Sequence, residues 1–173
     1  MRAAVDRGRV EELIAHLGRA ASSPTRVYLV GGSSAVLVGW RASTIDVDLA
    51  MRPDDDAIYR AIAEAKNALD INIELASPDH FIPLPAGWEE RSPLIQKHAL
   101  ASFHHFDFYS QALAKIERGH RQDLDDVAAM RAHKLIEWDA LERYYEEIEP
   151  SLFRFPAIDP ASFRRAVDAI ARA

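Results

Sequence analysis

Apolar residues Val10, Leu13, Ile14 and Leu17 recur at helical spacing behind Asp6, which predicts an amphipathic helix ending near Gly18. A loop, SSPT, follows. Residues 27–30 form a short apolar run stopped by Gly31-Gly32, so a strand enters a glycine turn, and 33–39 has room for one or two turns of buried helix. Polar and apolar residues then alternate over 44–51 and again over 70–76, the period of a strand. Between them 54–69 reads as a helix with acids in its first turn, where the helix dipole favours them. Residues 77–92 contain three prolines, with a fourth at Pro93, and predict a loop or a pair of irregular strands. Beyond them 106–118, 123–137, 139–149 and 160–173 all read as helices, the last with Asp159 as cap and Pro160 at its first position. The pattern predicts an α+β fold, with a small mixed β-sheet core over 1–105 and a helical part over 106–173 packed on it as a single compact unit.

Composition narrows the class of protein. With 173 residues and no cysteine, the chain suits one domain without disulfides, thiolate nucleophile or cysteine-ligated zinc. No signal-type apolar run opens it and no long uninterrupted apolar stretch follows, so a soluble cytoplasmic protein without membrane association is expected. The net charge of −6 is concentrated in 122–149, which holds nine acids and three bases. The remainder is neutral overall, leaving room for a local basic surface around Arg41, Arg52, Arg91, Lys97, Lys115, Arg118 and Arg121.

The candidate chemistry lies in RVYLVGGSSAVLVGWRASTIDVDLAM. On a strand, Thr44, Asp46 and Asp48 share one face while Ile45, Val47 and Leu49 share the other, which can pack into the core. Two carboxylates this close repel unless a cation neutralises them, so the face suits magnesium or manganese held by oxygen ligands. The alternative is a solvated strand face. Gly31, Gly32 and Ser33 form a turn whose backbone N–H groups can approach a phosphate, with the Ser33 hydroxyl as a further donor. In INIEL, Asn72 and Glu74 share a face, making Glu74 the candidate third metal carboxylate or else a surface acid. In KIERGHRQDLDDV, Gly119 ends a helix and Asp123 caps the next, with Asp126 three residues on. Lys115, one turn before that end, can reach a triphosphate or snorkel into solvent. The seven histidines show no paired metal-ligand spacing.

Glycine-glycine-serine, a short helix and then D-x-D on a strand resembles the signature of the polymerase-beta-type nucleotidyltransferase superfamily. The stretch from Lys115 to Val127 is similar to the lysine and R-x-D-L-x-D elements of the AbiEii and MenT-like branch, toxins of bacterial toxin–antitoxin pairs. The resemblance implies a nucleotidyltransferase core with Gly31, Gly32, Ser33, Thr44 and Lys115 on the nucleoside triphosphate. It implies Asp46, Asp48, Lys115 and Asp123 (or Asp126) in catalysis, and Mg2+ or Mn2+ on Asp46, Asp48 and Glu74. The acceptor it implies is RNA, the 3′ end of tRNA, and the partner a cognate antitoxin protein. Two other readings stand beside it: a nucleotide-binding antitoxin or regulatory partner, motivated by the acidic segment, and a nucleotidyltransferase acting on a small molecule.

Overall fold

Asp6 caps the first helix by accepting a 3.0 Å hydrogen bond from the Arg9 N–H, and α1 (Arg7–Ala20) continues two residues past Gly18. The computed structural model describes residues 3–173. Gly18 does not stop the helix but lets it close on a neighbour, since a Cβ there would fall 2.6 Å from His98 Cβ. Strand β1 (Thr25–Val30) leads into α2 (Gly32–Val38), and β2 (Asp46–Arg52) into α3 (Asp56–Ala68) and β3 (Asn72–Leu75). The strands β4 (Leu94–His98) and β5 (Ala101–His105) form a hairpin that the apolar pattern does not announce. Only Ile95 of β4 packs against the core, and the turn carries Ala99 at φ 53 where glycine or asparagine would be the usual signal.

The chain divides into two compact units, one comprising Met1–Ser77 and Ser92–Phe106, the other Pro78–Arg91 and Asp107–Ala173. The first is a mixed five-stranded sheet of order β3-β2-β1-β5-β4. β1 is antiparallel to β2 and parallel to β5, β2 is parallel to β3, and β4 is antiparallel to β5. One face is covered by α1 and α3, whose Val10, Leu13, Ile14, Leu17, Ile58 and Ile62 meet Val27, Leu29, Val47, Leu49, Ile73 and Phe103. The alternation over β2 therefore holds for Val47 and Leu49, but Ile45 precedes the strand and is 67% exposed instead of joining the core. Leu75, at the end of edge strand β3, is likewise 49% exposed.

Asp55 anchors this unit. It caps α3 by accepting from the N–H groups of Ala57 and Ile58, and also accepts from the N–H and hydroxyl groups of both Ser22 and Ser23. Burial pushes its carboxyl up, but the bonds from Ser22, Ser23 and Ile58 outweigh that and hold it well below the usual carboxylate range. Asp55→Ala is expected to cost about 2–3 kcal/mol of unfolding free energy, since both a helix cap and bonds to a charged group disappear. Because the folded state lowers this pKa, the stabilisation is complete above about pH 4 and drains away as pH falls below it. Chemical denaturation from pH 7 to pH 3 should show wild type and variant converging.

The second unit contains α4 (Trp88–Arg91), α5 (Phe108–Arg118), α6 (Arg121–Ala132), α7 (Trp138–Ile148) and α8 (Pro160–Ala171), with 3-10 segments at Pro78–His80 and Glu149–Arg154. Asp107 caps α5 through Tyr109 N and Ser110 N and accepts from Arg91 Nε and Nη2 at 3.2 and 3.1 Å. The Arg91 guanidinium also lies 4.2 Å over the Tyr144 ring. This tie joins the proline-rich segment to the helices of the same unit, and the segment takes the loop form of the two expected, with short helical turns at Pro78–His80 and Trp88–Arg91. No helix among the described residues is long and apolar enough to cross a membrane.

Candidate active site

The turn after β1 requires glycine for two separate reasons. Gly31 sits at φ 62, in the left-handed region that side chains disfavour. Gly32 packs against Thr44, whose Cβ would lie 2.7 Å from any Cβ added there. The Thr44 backbone is itself fixed by a two-way bridge to Val5, and its hydroxyl donates to the Asp46 carbonyl at 3.0 Å. A Cβ at Gly31 would lie 3.6 Å from Asp48 Oδ2, and Val30 and Asp48 are register partners. The glycine turn thus lies directly against the entry of the D-x-D strand.

Ser33 is fully buried and its hydroxyl donates to the Val30 carbonyl at 3.0 Å, so it braces the turn from inside. Ser34 braces it from behind, donating to the Leu29 carbonyl at 3.1 Å and lying 2.9 Å from His105 Nδ1. Burial, with His104 beside it, pushes the His105 pKa down to about 4, so this ring is neutral at physiological pH. No sequence signal joins Ser34 to His105, because the contact is made by the pairing of β1 with β5.

Asp46 and Asp48 lie half-buried on one sheet face, opposite Asn72 and Glu74 in the parallel register of β2 and β3. The Asn72 amide donates to Asp46 Oδ1 at 2.5 Å and to Glu74 Oε1 at 3.3 Å, a neutral donor set between two acids. Gly31, Gly32, Ser33, Thr44, Asp46, Asp48 and Glu74 therefore belong to one neighbourhood of the first unit. Glu74 is exposed. Among the described residues, no group of three His, Cys, Asp or Glu side chains is disposed to hold a metal ion. The donor set nevertheless fits magnesium, which dehydrates reluctantly and is commonly held by one or two carboxylates together with waters and substrate phosphates.

A second cluster lies within the helical unit. Gly119, at φ 72, ends α5 as expected, but α6 starts at Arg121 with His120 at the cap position, so Asp123 is inside the helix and does not cap it. Its carboxylate instead accepts from Arg118 Nε and Nη2 at 2.8 and 2.6 Å and from Lys115 Nζ at 3.3 Å. Lys115 Nζ also donates to Asp126 Oδ2 at 2.7 Å, and the lysine is only 7% exposed. Burial raises the Asp123 pKa, but Arg118 and Lys115 more than reverse this and hold it below the usual range.

No curated protein matches the sequence. The fold is similar to the crystal structure of an antigenic nucleotidyltransferase-like protein from Paracoccidioides brasiliensis, with TM-score 0.45 and 14% identity, over 96% of this chain and 95% of that one. The family described as nucleotidyltransferase of unknown function (DUF6036) matches residues 8–158, and this chain, with its glycine turn set against a D-x-D strand, belongs to that family of nucleoside monophosphate-transferring enzymes.

Proposed function

We propose that the protein transfers a nucleoside monophosphate from a nucleoside triphosphate to RNA, as the toxin of an AbiEii or MenT-like toxin–antitoxin pair acting on the 3′ end of tRNA. The observation that carries this reading is the packing of Gly31 and Gly32 against Thr44 and Asp48. Glycine backbone for phosphates and carboxylates for a cation occupy one neighbourhood. The Gly31, Gly32 and Ser33 backbone binds the triphosphate, and Thr44 fixes the spacing between turn and strand. Asp46 and Asp48 hold Mg2+ or Mn2+, with Glu74 at the margin of that face. A metal bound by these carboxylates would supply charge neutralisation for the transferred phosphoryl group and the departing pyrophosphate. An acceptor hydroxyl oxygen forms the new bond to the α-phosphorus as the bond to the β-phosphate oxygen breaks. Its proton passes to a carboxylate of the acidic face.

Incubation with each labelled nucleoside triphosphate, magnesium and total tRNA tests the reading. Label is expected in RNA. Label that partitions with small solutes would replace the acceptor by a small molecule, and no labelled product with any nucleotide would end the enzymatic proposal. The toxin assignment predicts that expression of this chain alone arrests growth in the cytoplasm and that a cognate antitoxin relieves it. If instead a stably bound partner is the growth inhibitor, this chain is the antitoxin.

A further inference from the structure

Strand register places an unusual row of side chains on the sheet face opposite α1 and α3. Arg26 of β1 is the register partner of Arg52 in β2 on one side and of Ser102 in β5 on the other, and Ser102 is in turn the partner of Lys97 in β4. Register partners point to the same side of a sheet. Arg52, Arg26, Ser102 and Lys97 therefore form one transverse line across four adjacent strands. Both arginines and Lys97 are exposed. At the neighbouring position on that face, burial lowers the His104 pKa, and the charges of Arg26 and Lys97 act in the same direction.

Like charges directly opposite each other on paired strands destabilise a sheet. Arg26 opposite Arg52 thus runs against stability, and neither Arg26 nor Lys97 makes an ion pair with any described residue. In a chain of net charge −6, this concentration of cations calls for an anionic occupant. The row spans three strand intervals, about 14 Å, which suits successive phosphates of a strand better than a single anion. It also shares the face and strand β2 with Asp46 and Asp48. From Arg26 to Val30, the register partner of Asp48, is four residues, or about 13 Å along the strand.

Resting on the RNA-acceptor reading, we propose that Arg52, Arg26 and Lys97 form the binding track for the phosphodiester backbone of the acceptor strand. Phosphates lie along the row, and the terminal hydroxyl extends along β1 and β2 to the acidic face. The contacts are to phosphates, so the track orients the strand without reading its bases.

The test is fluorescence anisotropy with a short single-stranded RNA, in the absence of nucleotide and metal, so that binding is read apart from transfer. Three phosphate contacts predict a log–log salt slope of about −2 and a fall in affinity of about twentyfold between 50 and 200 mM salt. In the Arg26→Gln/Lys97→Gln variant the slope should shrink to about −0.7 and the fall to about threefold. Its melting temperature should not drop, because a repulsion has been relieved. Arg165→Gln, which removes an exposed cation from α8, should keep the wild-type slope. Wild-type affinity and slope in the double variant would overturn the assignment, as would a wild-type protein that binds no RNA. Row-dependent RNA binding without any labelled product would support the track and sink the transfer reading alone.

Discussion

Asp46→Asn and Asp48→Asn should each lower nucleotidyl transfer by about a hundredfold or more while leaving the fold intact, the combination expected of groups that act on developing charge. Each substitution keeps the size of the side chain and removes one negative charge from a face on which Asp46, Asp48 and Glu74 stand close together. Repulsion is relieved and an amide replaces a carboxylate, so the melting temperature should move by no more than about 2–4 °C in either direction. Asp46 has one further partner, the Asn72 amide, and an asparagine can still accept that bond through its side-chain carbonyl. The measurement is initial rate of label transfer beside thermal melting on the same preparations. Full turnover in both variants, or melting lowered by ten degrees or more, would make the pair a structural strand face.

The acidic face was legible because it depends only on the two-residue period of a strand, and both aspartates of β2 and Glu74 of β3 obey it. The amphipathic face of α1 was legible for the same kind of reason, and Val10, Leu13, Ile14 and Leu17 are all buried in the core. What the sequence leaves dark is long-range pairing. Arg26 looks like any surface arginine until β1 is set between β2 and β5, and Ser34 acquires His105 only through the same sheet order. The hairpin of β4 and β5 stays hidden because an edge strand buries too little to alternate cleanly and its turn uses Ala99. At Asp123, local rules point to the wrong answer. An acid just after a helix-ending glycine matches the statistics of a cap, but two basic side chains on α5 draw the carboxylate sideways and α6 begins earlier at Arg121.

Those basic side chains set up the largest expected effect on stability. Lys115→Met removes the ammonium that donates to buried Asp126 at 2.7 Å and puts an apolar thioether in its place. Breaking a buried pair by deleting one partner typically costs about 3–5 kcal/mol, because the remaining charge loses the compensation which that partner supplied. Asp123 suffers less, since the Arg118 guanidinium still holds it through two bonds. Asp126→Leu added to Lys115→Met should therefore recover most of the loss, as apolar replacement of a whole buried pair is often neutral or stabilising. A double-mutant cycle in urea measures this coupling directly. The same variants separate architecture from chemistry. The resemblance assigns Lys115 to the triphosphate, and that role predicts that the double variant, refolded to near wild-type stability, still shows a raised KM for the nucleotide. A purely architectural lysine predicts that KM returns with the fold. Lys115→Met melting like wild type would show that its bonds to Asp123 and Asp126 contribute nothing to holding α5 against α6.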